Sequence, residues 1–186
     1  MVDVRTFNGA NTIVTRSVNG TAQTVAQDDL GQLTQLGSDA YTWSNDQKLS
    51  SANGSSILYD GMGRMVRRTD GFGQVDYLYD GWQVIREVRG SNAIDYTYGP
   101  RDIDEVQAMH SNTGSYWYMR DQNMDVAGLT DISGSVVERY TVDPYGKVMI
   151  TDGQGTVLAT SNNGNTRFFQ GLEKVGGLYS NRYRWV

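Results

Sequence analysis

Short segments in which apolar and polar residues alternate run along most of this chain. In residues 74–79, Val75, Tyr77 and Tyr79 recur at every second position, so these three side chains share one face of an extended strand. The same alternation predicts roughly fifteen strands at the short, even spacing of an all-β fold. The clearest of them cover 56–59, 64–69, 74–79, 83–88, 93–98, 116–119, 135–140, 147–150 and 156–159.

The strands are separated by one recurring device, an Asp or Ser followed three positions later by Gly. The first side chain accepts a backbone hydrogen bond in a type I turn, and glycine adopts the positive φ required at the last position. Because such turns join antiparallel strands, we predict consecutive antiparallel hairpins forming a twisted, curled β-sheet strip. The device begins at Ser17, Asp28, Ser51, Asp60, Asp70, Ser111, Asp131, Asp143, Asp152 and Ser161, and Pro144 presets φ in the Asp143 copy.

The sequence pattern of one stretch fits either a helix or a strand. In residues 102–110, Ile103, Val106 and Met109 fall three apart, which fits one or two helical turns. Valine and isoleucine also suit a strand, and the preceding Gly99-Pro100 favours a loop that enters one. We therefore expect a strand here.

A longer repeat contains the turns. Residues 59–65 (Tyr-Asp-Gly-Met-Gly-Arg-Met) align with residues 79–84 (Tyr-Asp-Gly-Trp-Gln-Val), and more loosely with 43–49 and 142–148. A repeat of this length holds two strands and two turns, so each hairpin buries the face of its neighbour.

Composition narrows the class of protein. The 186 residues are 38% hydrophobic and 11% aromatic, with 22 Gly and 2 Pro, which suits sheets joined by glycine turns. The net charge of −5 argues against nucleic-acid binding. The absence of cysteine excludes disulfides and cysteine metal sites. No apolar run is long enough for a membrane-spanning helix, and the first residues lack a signal-peptide pattern.

Candidate chemistry is sparse, and we expect no metal or cofactor. The single histidine, His110, lies beside Ser111 in a predicted turn, so we interpret it as a solvated loop residue rather than a catalytic base. Carboxylates at 102–105 and 121–131 are interpreted as turn formers, because the spacing of a calcium loop is missing. Tryptophans and tyrosines are expected in the core, with a sugar-stacking surface as the alternative.

The motifs resemble a known family. The aromatic-Asp-x-x-Gly-Arg pattern of residues 59–64 resembles the tyrosine–aspartate (YD) repeat of Rhs proteins. The second half is similar to the Rhs repeat-associated core, in segments 98–101, 121–140, 143–148, 167–171 and 177–183. The resemblance implies degenerate YD-repeat hairpins in residues 1–97 and core-like hairpins in residues 98–186, within one continuous β structure.

Proteins of that family are secreted or cell-surface shells, in which a long β strip spirals into a cocoon around a C-terminal toxin or effector. In some, an aspartate segment after the core cuts the effector free. This chain is too short to close a cocoon and ends before that segment, so we expect no enzymatic activity. The resemblance implies a structural scaffold or shell segment of the kind that encloses or presents an effector. The alternatives are a cell-surface carbohydrate-binding module with at least two exposed aromatic residues on one patch and, last, a self-cleaving protease.

Expected partners are further copies or Rhs-type repeats, and a polypeptide effector or a glycan, without nucleic acid or membrane insertion. A short strip has two free edges and one apolar face, so we expect it to curl into a small closed or sandwich-like unit or to self-associate. The residues expected to form the structural repeat are Tyr59, Asp60, Gly63, Arg64, Tyr79, Asp80, Asp131, Gly134, Tyr140, Asp143, Pro144, Gly146, Gly177, Leu178 and Tyr179.

Overall fold

The computed structural model of the chain describes residues 2–9, 12–144, 146–182 and 184–185. Their regular structure is almost entirely β-strand, with one short 3-10 turn at Phe169–Gly171, so the all-β prediction is confirmed. The strands are β1 Asp3–Phe7, β2 Ile13–Val18, β3 Thr21–Gln23, β4 Val25–Gln27, β5 Leu33–Leu36, β6 Asp39–Trp43, β7 Leu49–Ala52, β8 Ser55–Tyr59, β9 Met65–Asp70, β10 Gly73–Asp80, β11 Gln83–Arg89, β12 Asn92–Tyr98, β13 Val106–Ser111, β14 Gly114–Arg120, β15 Val126–Thr130, β16 Val136–Val142, β17 Val148–Asp152, β18 Val157–Leu158, β19 Glu173–Val175, β20 Leu178–Asn181 and β21 Arg184–Trp185.

Fifteen of these strands, β4 to β18, form one sheet in which each strand pairs with the next in the chain. The pairings are antiparallel, as the predicted string of hairpins requires. Strands β1–β3 and β19–β21 form two further sheets of three strands each. The long sheet does not close, since β4 and β18 are its two edges. The ambiguous residues 102–110 divide between a loop and β13, which begins at Val106.

Wide turns with a leading aspartate follow the predicted device. In the copy at Asp60, the backbone carbonyl of Asp60 accepts the Gly63 N–H at 3.0 Å. The Asp60 carboxylate also accepts the N–H groups of Met62 and Arg64, both at 2.9 Å. One side chain therefore satisfies two backbone donors that the loop would otherwise leave unpaired. Turns at Asp28, Asp131 and Asp152 have the same bonds.

Other predicted copies of the device are tighter turns, which corrects their assignment. The turn after β7 consists of Asn53 and Gly54 at φ +48° and +83°, and Ala52 pairs with Ser55. Both central residues have positive φ, as a type I′ hairpin requires, so Ser51 lies within the strand instead of starting the turn. The predicted turns that begin at Ser17, Asp70 and Ser111 also have two-residue loops.

The sheet buries one face. Alternate side chains from successive strands point to this inner face, because side chains of a strand alternate between the two sides. Its members are almost completely buried and include Tyr41, Ile57, Val75, Tyr77, Tyr96, Met109, Leu129, Tyr140 and Ile150. The opposite, outer face has exposed cross-strand ion pairs such as Arg67–Asp76 and Arg86–Asp95.

The last part of the chain leaves the strip and packs against this inner face. We call residues 161–182 and 184–185 the C-terminal segment. Its hairpin β19–β20 reaches the first strands of the sheet, where Gly176 lies against the Ala52 backbone. The same hairpin reaches the turn after β16, where the Tyr179 hydroxyl donates to the Gly146 carbonyl at 2.7 Å. One small hairpin thus contacts strands that are far apart in the sheet order, so the sheet curls around it.

Candidate functional site: the inner face and the C-terminal segment

The aromatic residue at the head of each repeat bonds to the neighbouring strand. The hydroxyl of Tyr59 donates to the Leu49 carbonyl at 2.8 Å, and that of Tyr79 donates to the Met65 carbonyl at 2.8 Å. Between β7 and β8 the ladder pairs only residues 51–52 with 55–56, so Leu49 lies beyond its end. The aromatic side chain therefore satisfies a carbonyl at the place where two strands diverge.

Two further residues, which are not among the predicted structural-repeat residues, make the same contact. Trp43 Nε1 donates to the Leu33 carbonyl at 2.8 Å, and the Tyr98 hydroxyl donates to the Val84 carbonyl at 3.0 Å. Trp43 lies in the loosely aligned copy of the repeat. Tyr98 is followed by a long loop and not by an Asp turn, so the sequence signal for its contact was its place at the end of the predicted strand 93–98.

Arg64 joins two consecutive repeats. Its guanidinium lies 2.8 Å from the Asp60 carboxylate and 5.0 Å from the centre of the Tyr79 ring. It also donates to the Gly81 carbonyl at 2.6 Å. Asp80 ends β10 and faces Gln83 across a two-residue turn, so it does not form the wide turn of Asp60.

The predicted repeat residues of the second half lie at turns and on the inner face. Asp131 and Gly134 form a wide turn, with Gly134 at φ +80°. Asp143 and Gly146 form another, and Pro144 is its exposed second residue. Tyr145 and Tyr183, which belong to the motifs of the resemblance, lie outside the described residues.

The remaining predicted residues connect the C-terminal segment to the strip. Tyr140 is buried, donates to the Glu138 carboxylate at 2.5 Å and packs edge-on against Phe168 at 5.1 Å. Gly177 follows β19 in the tight turn that leads into Leu178 and Tyr179 of β20.

A buried network of charges also joins the segment to the strip, and we did not predict it from the sequence. Arg167 of the segment lies 3.6 Å from Glu87 of β11 and stacks on the Tyr96 ring at 4.5 Å. Glu173 of the segment accepts a hydrogen bond from Tyr77 at 2.6 Å and lies 3.8 Å from Arg68. Each partner thus contributes one acid and one base to the contact.

The two buried carboxylates differ in pKa. Burial raises the pKa of Glu173, and the nearby Glu87 charge raises it further. Burial also acts to raise the pKa of Glu87, but Arg89 at 2.7 Å and Arg167 outweigh it, so this pKa lies below the ordinary value. Glu87 is therefore the carboxylate that stays ionised, and Glu173 is the one that gains a proton more readily.

A third buried carboxylate fixes the start of the C-terminal segment. Glu138 accepts the backbone N–H groups of Asn162 and Asn163 at 2.8 and 3.2 Å and the Asn163 side-chain amide at 2.8 Å. These three hydrogen bonds replace the hydration that the carboxylate loses on burial.

His110 is placed differently from its prediction. It lies in β13 and is half-buried, with Nδ1 at 2.9 Å from the Ser115 hydroxyl and its ring edge-on to Trp117. The interpretation as a solvated loop residue is therefore wrong, because the β13–β14 turn consists only of Asn112 and Thr113, and His110 pairs with Ser115 in the ladder.

The aromatic residues bear on the carbohydrate alternative. Among the described tryptophans and tyrosines, Trp117 is the only exposed one, at 39%. That alternative requires two such side chains on one patch. Within the described residues, no three histidine or acidic side chains converge as metal ligands, and no helix is long and apolar enough to cross a membrane.

The fold and the inner face together define an open strip of hairpins that curls around its own C-terminal segment. No protein-family model matches the chain. The chain is 24% identical over 164 residues to the tRNA3(Ser)-specific nuclease WapA of Bacillus spizizenii and to the tRNA nuclease WapA of Bacillus subtilis. Each alignment covers 82% of this chain but 7% of the relative.

Solved structures have the same fold. A TccC3 complex with TcdB2 and Cdc42 matches 98% of this chain with a TM-score of 0.63 at 14% identity. The Tc holotoxin pore of Photorhabdus luminescens matches 99% with a TM-score of 0.55 at 12% identity. The chain covers 11% of each. The resemblance to Rhs/YD-repeat proteins that the motifs indicate is confirmed.

Proposed function

We propose that this chain is a non-enzymatic wall segment of an Rhs-type shell that encloses or presents a polypeptide effector. The observation that carries the proposal is the fifteen-stranded sheet in strict chain order, curled with its tyrosine-rich face inward around the C-terminal segment. Such a strip can be lengthened at either edge without changing its internal contacts, since each strand pairs only with its chain neighbours. By the same resemblance, we propose a secreted or cell-surface location.

The tRNA nuclease activity in the names of the curated relatives is not proposed for this chain. The aligned region is a small fraction of those proteins, and a net charge of −5 disfavours binding to a polyanion. Incubation of the purified chain with end-labelled tRNA tests this point. We expect intact tRNA, and specific cleavage above that of a buffer control would refute the non-enzymatic role.

Edge-to-edge extension is the testable consequence of a wall segment. Strand β18 is an edge of the long sheet, and Val157 on it is 67% exposed. We expect concentration-dependent association in light scattering coupled to size exclusion, with intact mass spectrometry showing uncut subunits. Val157→Lys should weaken the association, because a charge on an edge strand opposes pairing.

Met149→Lys is the matched control, since Met149 is 51% exposed but lies in β17, inside the sheet. It should leave the association unchanged. A chain that stays monomeric at all concentrations would contradict the wall role. Equal effects of the two substitutions would contradict association through the edge.

A further inference from the structure

A cavity of about 860 Å³ opens between the C-terminal segment and a row of hairpin turns along one side of the strip. On one side it is lined by the tight hairpin turns near residues 53–55 and 70–75. On the other side it is lined by residues 159–161 and 164–166 and by Lys174 and Gly176 of the C-terminal segment. Its volume lies within the range of cavities that bind organic ligands and short peptide segments.

The floor of the cavity is apolar and its rim has an exposed aromatic ring. Val75, Ile150 and Phe168 line it and are almost completely buried. Phe72, in the two-residue turn between β9 and β10, is also part of the lining and is 97% exposed. Such a combination suits a ligand with an apolar side chain that enters the cavity while the rest remains at the rim.

The polar groups of the cavity have an excess of positive charge. Arg68 and Arg89 line it and already contact carboxylates, whereas Lys174 makes no ion pair among the described residues. Burial lowers the pKa of Lys174 and the nearby Lys147 lowers it further, while Asp143 and Asp39 act in the opposite direction, so an anionic partner would stabilise its charged form. The charged residues of the lining are three cations, Arg68, Arg89 and Lys174, and one carboxylate, Asp70. Directly behind them lie Arg167, Glu87 and Glu173, and beside Lys174 lie Lys147, Asp39 and Asp143.

Two buried polar atoms in the lining lack a hydrogen-bond partner. They are Nε of Arg89 and Oγ1 of Thr166. Both atoms are buried, so a small movement of either side chain is needed to turn the donor towards the cavity. In that position a backbone carbonyl or a carboxylate of a ligand would accept from it.

We propose that this cavity binds an extended peptide segment with an acidic side chain beside an apolar one. The carboxylate contacts Lys174, the apolar side chain packs on Phe168 and Val75, and the peptide carbonyls accept from the unpartnered donors. The site is independent of the shell proposal, because all its lining residues belong to this chain and the peptide is defined by its own acidic and apolar side chains.

The probes are two blocked tetrapeptides, acetyl-Gly-Glu-Leu-Gly-amide and its Gln counterpart, titrated into ¹⁵N-labelled chain at low salt. We expect shifts in the amide signals of Gly54, Gly164 and Gly176, which line the cavity. The Glu peptide should bind about fivefold more tightly than the Gln peptide, as one partly exposed ion pair allows.

Lys174→Gln should remove most of this preference. Lys48→Gln is the matched control, because it deletes the same charge at a turn outside the cavity and should keep the preference. Equal binding of the two peptides to the unmodified chain would overturn the proposal, even if Lys174→Gln failed to fold. Shifts confined to other residues, or shifts fully reproduced by sodium acetate, would overturn it as well.

Discussion

The contact between Gly146 and Tyr179 gives the sharpest test of how the strip and the C-terminal segment pack. Gly134 and Gly146 occupy equivalent positions in two wide turns of the same type, and both have φ +80°. A Cβ at Gly134 would meet nothing within 4 Å, whereas a Cβ at Gly146 would lie 2.9 Å from Cε2 of Tyr179. An alanine would therefore meet the same backbone strain at both positions, but only at Gly146 would it also press against the Tyr179 ring.

The expected costs follow from this difference. Alanine in the left-handed region costs about 1–2 kcal/mol at either position. At Gly146 the Tyr179 ring must also move while its hydroxyl holds the Gly146 carbonyl at 2.7 Å, which adds about 1–2 kcal/mol of overpacking. We expect Gly134→Ala to lower the free energy of unfolding by about 1–2 kcal/mol and Gly146→Ala by about 2–4 kcal/mol.

Urea unfolding followed by circular dichroism measures both costs. Tyr179→Leu provides the decisive background, because without the ring the additional cost at Gly146 should disappear in a double-mutant cycle. Equal costs for the two alanine variants, within about 0.5 kcal/mol, would refute the reasoning. That result would mean that β20 does not pack against the turn after β16.

The other predictions concern single contacts. Tyr98→Phe should lower the free energy of unfolding by about 1 kcal/mol through the loss of one hydrogen bond, measured by urea unfolding, and an unchanged midpoint would contradict the role of the repeat aromatic. Hydrogen bonds from two arginines lower the pKa of Asp3 to about 2, so Asp3 stabilises β1–β2 fully above its ordinary pKa of 3.8 and loses this effect as the pH falls towards 2. Asp3→Asn should therefore speed amide exchange in β1–β2 at neutral pH but not near pH 2. Arg167→Met should lower the free energy of unfolding in urea by about 3 kcal/mol, because it removes one of the two cations beside the buried Glu87 carboxylate, whereas Arg86→Met on the outer face should lower it by less than about 1 kcal/mol.

Local features of the sequence predicted the strip well. Most strands of the long sheet bury alternate residues, and each pairs with its neighbours in the chain, so the period of Val75 and Tyr77 and the turn at Asp60 carried the necessary information. The tight turns were predicted less accurately because their first residue was assigned to Ser17 or Ser51. The dipeptides Asn19-Gly20 and Asn53-Gly54 are themselves a strong signal for a type I′ hairpin.

The inner face could not be predicted in the same way. Its key contacts join residues about a hundred positions apart, such as Tyr77 with Glu173, and no local period connects them. One signal was present. After β18 the alternation stops, and the polar run 161–165 precedes charged residues between apolar ones, at Arg167 and Glu173. Charged residues in such surroundings indicate burial with partners, but the partners are set by the curl of the sheet.

The buried charges also explain why the C-terminal segment has one position in the strip. The inner face repeats the same apolar surface from hairpin to hairpin, so apolar burial alone would accept the segment in several registers. In the observed register Glu173 lies 3.8 Å from Arg68, and Arg167 lies 3.6 Å from Glu87. Arg68 lies in β9 and Glu87 lies one hairpin further, in β11. A shift by one hairpin would therefore bring Arg167 to Arg68 or Glu173 to Glu87, which are like-charge contacts, and would leave the other charge of the segment unpaired at a cost of about 3–5 kcal/mol. We therefore expect the charge network to select the register of the segment, while the apolar contacts supply most of its binding.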